Sequence, residues 1–158
     1  MNRHSYILFF VKGIRRNTTI SSSLRSNSSV YNRMGTNNQC HYYEAYEIWV
    51  PIDGYYILTS KSSIDTYGYL YQTSFNPYNP YSNLIAYNDD AGGSRQFQLT
   101  EYLVTYRTYI LVLTTYLPMI TGHYQLIVEG ANRVQITELY SASTLCARTT
   151  TRRTTTCE

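Results

Sequence analysis

The chain has 158 residues, enough for one ordinary domain with tails. Nineteen tyrosines stand against one tryptophan and four phenylalanines, a bias towards half-buried pleated surfaces where a ring packs and its hydroxyl meets water. The net charge of +3 hides a division, because residues 42–139 carry nine acids and four bases while residues 1–41 hold six bases and no acid; the body therefore lacks the basic face that nucleic-acid binding requires.

Residues 1–39 are rich in Ser, Asn and Arg with little periodicity, and read as a flexible basic segment. Asn17-Thr18-Thr19 and Asn27-Ser28-Ser29 are glycosylation sequons, which mark exposed positions in an exported protein. Tyr6–Val11 is a short apolar run closed by Lys12, too brief for a signal peptide, and no stretch approaches the roughly 20 apolar residues of a membrane helix. The run at 5–11 is similar to the one at 108–114, so the first segment can also be read as the tail of a preceding repeat.

From Cys40 to Cys146 the chain alternates with period two. Tyr46, Ile48 and Val50 fall on one face and Glu47 and Trp49 on the other; Pro51 stops that strand and Asp53-Gly54 turns into the next. Strands follow in "YYILTS", "TYGYLYQ", "NLIAYN", "QFQLT", "YILVLTT" and "HYQLIVEG". Between them lie the loop "TSFNPYNPYS" and the turn "DDAGGS", and Pro77, Pro80 and Pro118 all fall in loops, where a missing N–H is harmless. About eight short strands with polar turns predict an all-β chain, an antiparallel, jelly-roll-like sandwich over residues 40–146. Residues 147–158 are a Thr-rich linker or tail.

Three features hold candidate chemistry. Tyr67, Tyr69 and Tyr71 alternate, so they share one strand face, either as wall or as a stacking platform for sugar rings. Tyr78 and Tyr81 sit in the Pro-punctuated loop, where no strand obliges them to be buried, and are the better contacts for a ligand. Asp65, Asn88, Asp89 and Asp90 offer oxygens for calcium; the alternative is that they cap turns by binding local N–H groups. Cys40 and Cys146 flank the body and suit a disulfide tying its ends, with Cys157 left over. No nucleophile-elbow, zincin or phosphate-loop motif occurs, so no catalytic residue is assigned.

Five elements recur in order: Gly54 with Tyr56, Asp65 to Tyr71, the Asp89-to-Gly93 turn, Tyr109 to Val112, and Gly122 with Tyr124. Together they resemble the bacterial pre-peptidase C-terminal domain family over about residues 42–135. The resemblance implies a jelly-roll-like sandwich that accompanies secreted enzymes and surface proteins without performing their chemistry. Some members bind collagen or polysaccharide, some bind calcium, and others are appendages that assist export or folding. The Phe75–Ser82 loop is an insertion relative to that pattern, and no peptidase precedes the domain within these residues. The expectation is a non-enzymatic, extracellular adhesion or spacer module of a larger secreted or surface chain, contacting a polysaccharide, glycan or matrix protein. A structural appendage with no ligand is the alternative.

Overall fold

The alternation that begins at Cys40 sets the layering. The computed structural model describes residues 15–36 and 39–139, in which ten strands and no helix occur. They are β1 (Arg16–Leu24), β2 (Ser29–Asn32), β3 (Cys40–Trp49), β4 (Gly54–Ser62), β5 (Thr66–Gln72), β6 (Leu84–Asn88), β7 (Gln98–Leu103), β8 (Tyr109–Thr115), β9 (Gly122–Gly130) and β10 (Gln135–Leu139). One sheet runs β1-β9-β4-β7 and the other β10-β3-β8-β5-β6, with β2 paired onto β3. Every ladder is antiparallel. From β3 onward the pairs nest, β3 with β10, β4 with β9 and β5 with β8, which is the winding of a jelly roll.

Because successive side chains in a strand point to opposite faces, each strand divides its residues between two layers. Tyr42, Tyr46 and Ile48 of β3, Leu70 of β5, and Leu111 and Leu113 of β8 meet Leu58 of β4, Leu99 of β7 and Leu126 and Val128 of β9 in one apolar core. Each fully buried Leu or Val there contributes about 1.5–3 kcal/mol. The opposite face of the six-stranded sheet carries a second cluster, in which Ile110 and Val112 of β8 pack with Tyr31, Tyr43, Ala45, Tyr69 and Tyr71. All seven residues of β8 are buried. A strand covered on both faces requires an unbroken apolar run, and "YILVLTT" supplies it.

The N-terminal segment departs from expectation. Residues 1–39 read as flexible, yet β1 forms a nine-residue ladder with β9, from Arg16 opposite Gly130 to Leu24 opposite Gly122. Its inward side is Thr18, Ile20, Ser22 and Leu24, with Ile20 and Leu24 reaching the core. Period two was present, but two hydroxyl residues occupy half of the inward positions and mask it. Thr18 Oγ1 accepts from Val134 N–H at 3.0 Å, and Arg15 pairs with Glu129 at 3.3 Å. The sandwich thus begins by residue 16 and draws β2 in as well. Residues 1–14, 37–38 and 140–158, which include Cys146, Cys157 and the Thr-rich run, lie outside the described residues.

Candidate functional site

The orientation of the tyrosine row follows from its glycine. A Cβ built on Gly68 would lie 2.5 Å from a ring carbon of Phe97. Gly68 and Leu70 therefore face the inter-sheet core, and Tyr67, Tyr69 and Tyr71 face the other way. Had nothing covered that outer face, the row would be a platform. It is covered: Tyr31 and Met34 from the β2 segment, and Phe75 from the 73–83 loop, pack over it. Tyr69 and Tyr71 are consequently buried, and only Tyr67 is half exposed. This corrects the expectation that all three could contact a ligand. Tyr67 stacks on Tyr69 at 4.7 Å between centroids, with Tyr87 continuing the stack at 5.9 Å from Tyr69.

Arg33 closes one end of this layer. Its guanidinium lies 4.5 Å from the centroid of the Tyr67 ring and 5.6 Å from that of Tyr116. Nη1 donates to the Tyr69 hydroxyl and Nη2 to the Tyr116 carbonyl, each at 3.1 Å. Sequence reasoning missed Arg33, because it lies in a segment read as flexible and nothing in its neighbourhood of the chain marks it as buried.

The loop from Thr73 to Asn83 is held at both ends and in the middle. Thr73 and Asn83 both have positive φ, 76° and 63°, which is ordinary for Asn and strained for a β-branched Thr. Thr73 N–H donates to Thr108 O at 2.8 Å, and Gln72 N–H to Asn83 O at 2.9 Å. Tyr71 reaches from below to give its hydroxyl proton to Pro80 O at 3.0 Å, and Asn76 Oδ1 accepts from Tyr78 N–H at 2.9 Å. So braced, the loop turns Tyr78 and Tyr81 outward, 75% and 69% exposed. Pro77, Tyr78, Pro80 and Tyr81 form one wall of a groove of about 380 Å³; Asn32, the last residue of β2, and Arg33 to Thr36 after it form the other. The two loop tyrosines are where the sequence placed them. The opposing wall, from the segment expected to be flexible, was not foreseen.

Among the described residues no group of three or more His, Cys, Asp or Glu side chains could hold a metal ion. Asn88 Oδ1 accepts from Ala91 N–H at 2.7 Å and from Gln98 N–H at 3.3 Å, the cap of a turn. Burial pushes the Asp65 carboxyl above its ordinary range and the Asp90 charge pushes it further, opposed by Arg95.

Other polar clusters are structural in their geometry. Cys40 is disulfide-bonded; the expected partner, Cys146, lies outside the described residues. Glu44, unforeseen from sequence, takes hydroxyl protons from Ser22 at 2.9 Å, from Tyr46 at 2.7 Å and from Tyr124. Burial raises the pKa of both tyrosines, so each hydroxyl keeps its proton and serves as a donor. Ser23 Oγ lies 2.7 Å from His123 Nδ1, a cross-strand pair in register, and no carboxylate pairs with that ring among the described residues. Compared with protein-family models and with curated proteins, the chain matches none.

Proposed function

We propose that this chain is a non-catalytic binding module of an extracellular or surface protein, related to the pre-peptidase C-terminal domains. It holds an extended polymer in the groove between the Asn32–Thr36 turn and the Pro77–Tyr81 loop. The observation that carries this reading is the pair Tyr78 and Tyr81: two exposed rings on a loop fixed by backbone and side-chain hydrogen bonds, beside a groove of about 380 Å³. Rigid aromatic rings supply contact area with little entropy lost on binding. A structure that needed them only for packing would have turned them under the loop, as it does Phe75. The order of Gly-x-Tyr, Asp-opened and Asp-Asp-x-Gly-Gly elements along residues 54–124 supports the family reading.

The test is co-sedimentation of the protein with insoluble polysaccharides and with collagen, alongside a Tyr78→Ala, Tyr81→Ala double variant. Retention that falls about tenfold or more in the variant is expected, since truncating a central interface anchor typically costs more than 1 kcal/mol. No retention on any polymer would instead favour a structural appendage without a ligand.

A further inference from the structure

The groove does not end at Pro77. That residue also lines a second hollow, of about 280 Å³, together with Phe75, Ile110 and Leu139. Glu47 borders this hollow and also a third, of about 230 Å³, around Trp49, Gln135 and Thr137. All three lie over the outer face of the six-stranded sheet, since Tyr46 and Ile48 point to the core while Ala45, Glu47 and Trp49 point away from it. Shared lining residues thus carry the groove from Tyr81 along β3 to Trp49. Trp49 is the chain's one tryptophan. It is 48% exposed, while Ile48 and Val50 beside it are fully buried. Gln135 lies directly opposite it across the ladder, and one pleat along, Thr137 lies opposite Glu47; residues so paired hold their Cβ atoms about 5 Å apart. None of these four side chains is engaged in a hydrogen bond or ion pair among the described residues.

An indole face with unengaged polar groups around it matches a sugar ring, which offers C–H bonds on its face and hydroxyls at its rim. An extended peptide is a poorer match. Such peptides bind sheets through main-chain hydrogen bonds at an open edge, and β3 has none over Ala45–Ile48, where β8 holds one side and β10 the other. Charge narrows the choice of sugar. The charged side chains along the three hollows are Glu47 and Arg33, and the Arg33 guanidinium is turned into the tyrosine layer. The charge presented to a ligand is therefore negative, which repels a polyanion. Resting on the groove reading above, we infer that the polymer is an uncharged polysaccharide held at two places, by Tyr78 and Tyr81 in the groove and by Trp49 farther along the same sheet face. Glu47, Gln135 and Thr137 exchange hydrogen bonds with the hydroxyls of the sugar that lies on Trp49. A chain long enough to reach both places gains from each, so affinity grows with length.

The single tryptophan reports on its own site. Acrylamide quenching of its fluorescence is measured as cello-, chito- and laminari-oligosaccharides are added, from disaccharide to hexasaccharide, with oligogalacturonates as the charged comparison. Calorimetric titration of the same sugars gives affinities for the unchanged protein, Trp49→Ala, the Tyr78→Ala, Tyr81→Ala variant and Tyr55→Ala. Tyr55 is 68% exposed on the other sheet, so its substitution controls for adsorption to any exposed ring. One uncharged series should shield Trp49 from acrylamide, with an affinity that rises about tenfold or more from disaccharide to hexasaccharide. The rise should vanish in Trp49→Ala and in the tyrosine variant alike, while Tyr55→Ala changes affinity less than about twofold. Binding that the tyrosine variant loses and Trp49→Ala keeps, with the indole unshielded, would overturn the inference and leave the groove standing. Binding that Trp49→Ala loses and the tyrosine variant keeps would overturn the groove reading and the inference with it. Equal shielding by oligogalacturonates would overturn the uncharged class, and an equal loss in Tyr55→Ala would overturn the inference as adsorption to exposed rings. If no uncharged sugar shields Trp49 the inference falls, and retention on collagen that the tyrosine variant loses would then keep the groove with a protein ligand. The shielding measurement needs no substitution at Trp49, so it decides the matter whether or not Trp49→Ala folds.

Discussion

The two faces of the six-stranded sheet are both buried, and by different means. The inner face meets another sheet, so its partners alternate in register with it and are mostly aliphatic. The outer face meets β2, its following turn and the 73–83 loop, and its layer is mostly aromatic: Tyr31, Tyr43, Tyr67, Tyr69, Tyr71 and Phe75. Tyr31, Tyr43 and Phe75 meet one another edge to face at 5.0–5.6 Å. The described buried side-chain atoms without a hydrogen-bond partner, Tyr31 Oη and Arg33 Nε, both belong to this outer layer. A sheet-on-sheet contact closes completely, whereas a cover made from a short strand and a loop leaves polar atoms unmatched. It also leaves a groove where the two covering segments meet.

The sharpest way to break the inner face is at Phe97 and Gly68. Phe97→Ala should cost about 3–5 kcal/mol in urea unfolding. Gly68→Ala alone should cost about 1–3 kcal/mol, because the new methyl drives into the Phe97 ring. The double variant should lose clearly less than the sum, since removing the ring makes room for the methyl. Strict additivity would show that Gly68 does not face Phe97, and the orientation assigned to the tyrosine row would fall with it.

That orientation was only partly legible in the sequence. The alternation of Tyr67, Gly68, Tyr69, Leu70 and Tyr71 shows that the tyrosines share a face, but one strand cannot say which side the second sheet lies on. The continuous run "YILVLTT" held the missing clue: a strand apolar on both faces implies that the outer side is covered too. What the cover would be could not be read. It comes from β2 and the Phe75 loop, neither of which has a long apolar period, and from Arg33, whose burial depends on strands distant in the chain. The loop tyrosines were legible because prolines exclude strand pairing, and exposure then followed by default. The turn at Asn88 was legible as one of two alternatives, and its hydrogen bonds with Ala91 N–H and Gln98 N–H form that turn.

The outer layer can be sharpened in the opposite direction. Tyr31→Phe removes a fully buried hydroxyl whose neighbour Thr114 gives its own hydroxyl proton to Tyr42 O at 2.7 Å, and which makes no well-formed hydrogen bond among the described residues. Stability should therefore rise, by about 1 kcal/mol. A loss of stability would mean that the hydroxyl is matched after all.

His41, buried beside Arg33, tests the same layer through pH. Burial pushes its pKa below 6.5; the Gln39 carbonyl opposes the shift and the Arg33 charge adds to it. The unfolded chain then takes up the proton first as pH falls. Stability from the neutral ring is complete above about pH 6.5 and declines as the pH drops below it. His41→Gln should flatten the slope of stability against pH in that window, whatever it does to stability at neutral pH. A slope unchanged by the substitution would locate the acid sensitivity elsewhere.

The smallest effect on stability is expected where the effect on binding is largest. Tyr78 and Tyr81 bury little surface, so Tyr78→Ala and Tyr81→Ala should each change the unfolding free energy by no more than about 0.5 kcal/mol. Contrast Tyr71, on the same side of the sheet but fully buried and holding Pro80 by its hydroxyl. Tyr71→Phe should lower stability by about 1 kcal/mol and loosen the loop that displays the other two. If Tyr78→Ala or Tyr81→Ala costs as much as Tyr71→Phe in thermal unfolding, their rings are part of the cover and not its display. The groove would then be a by-product of packing.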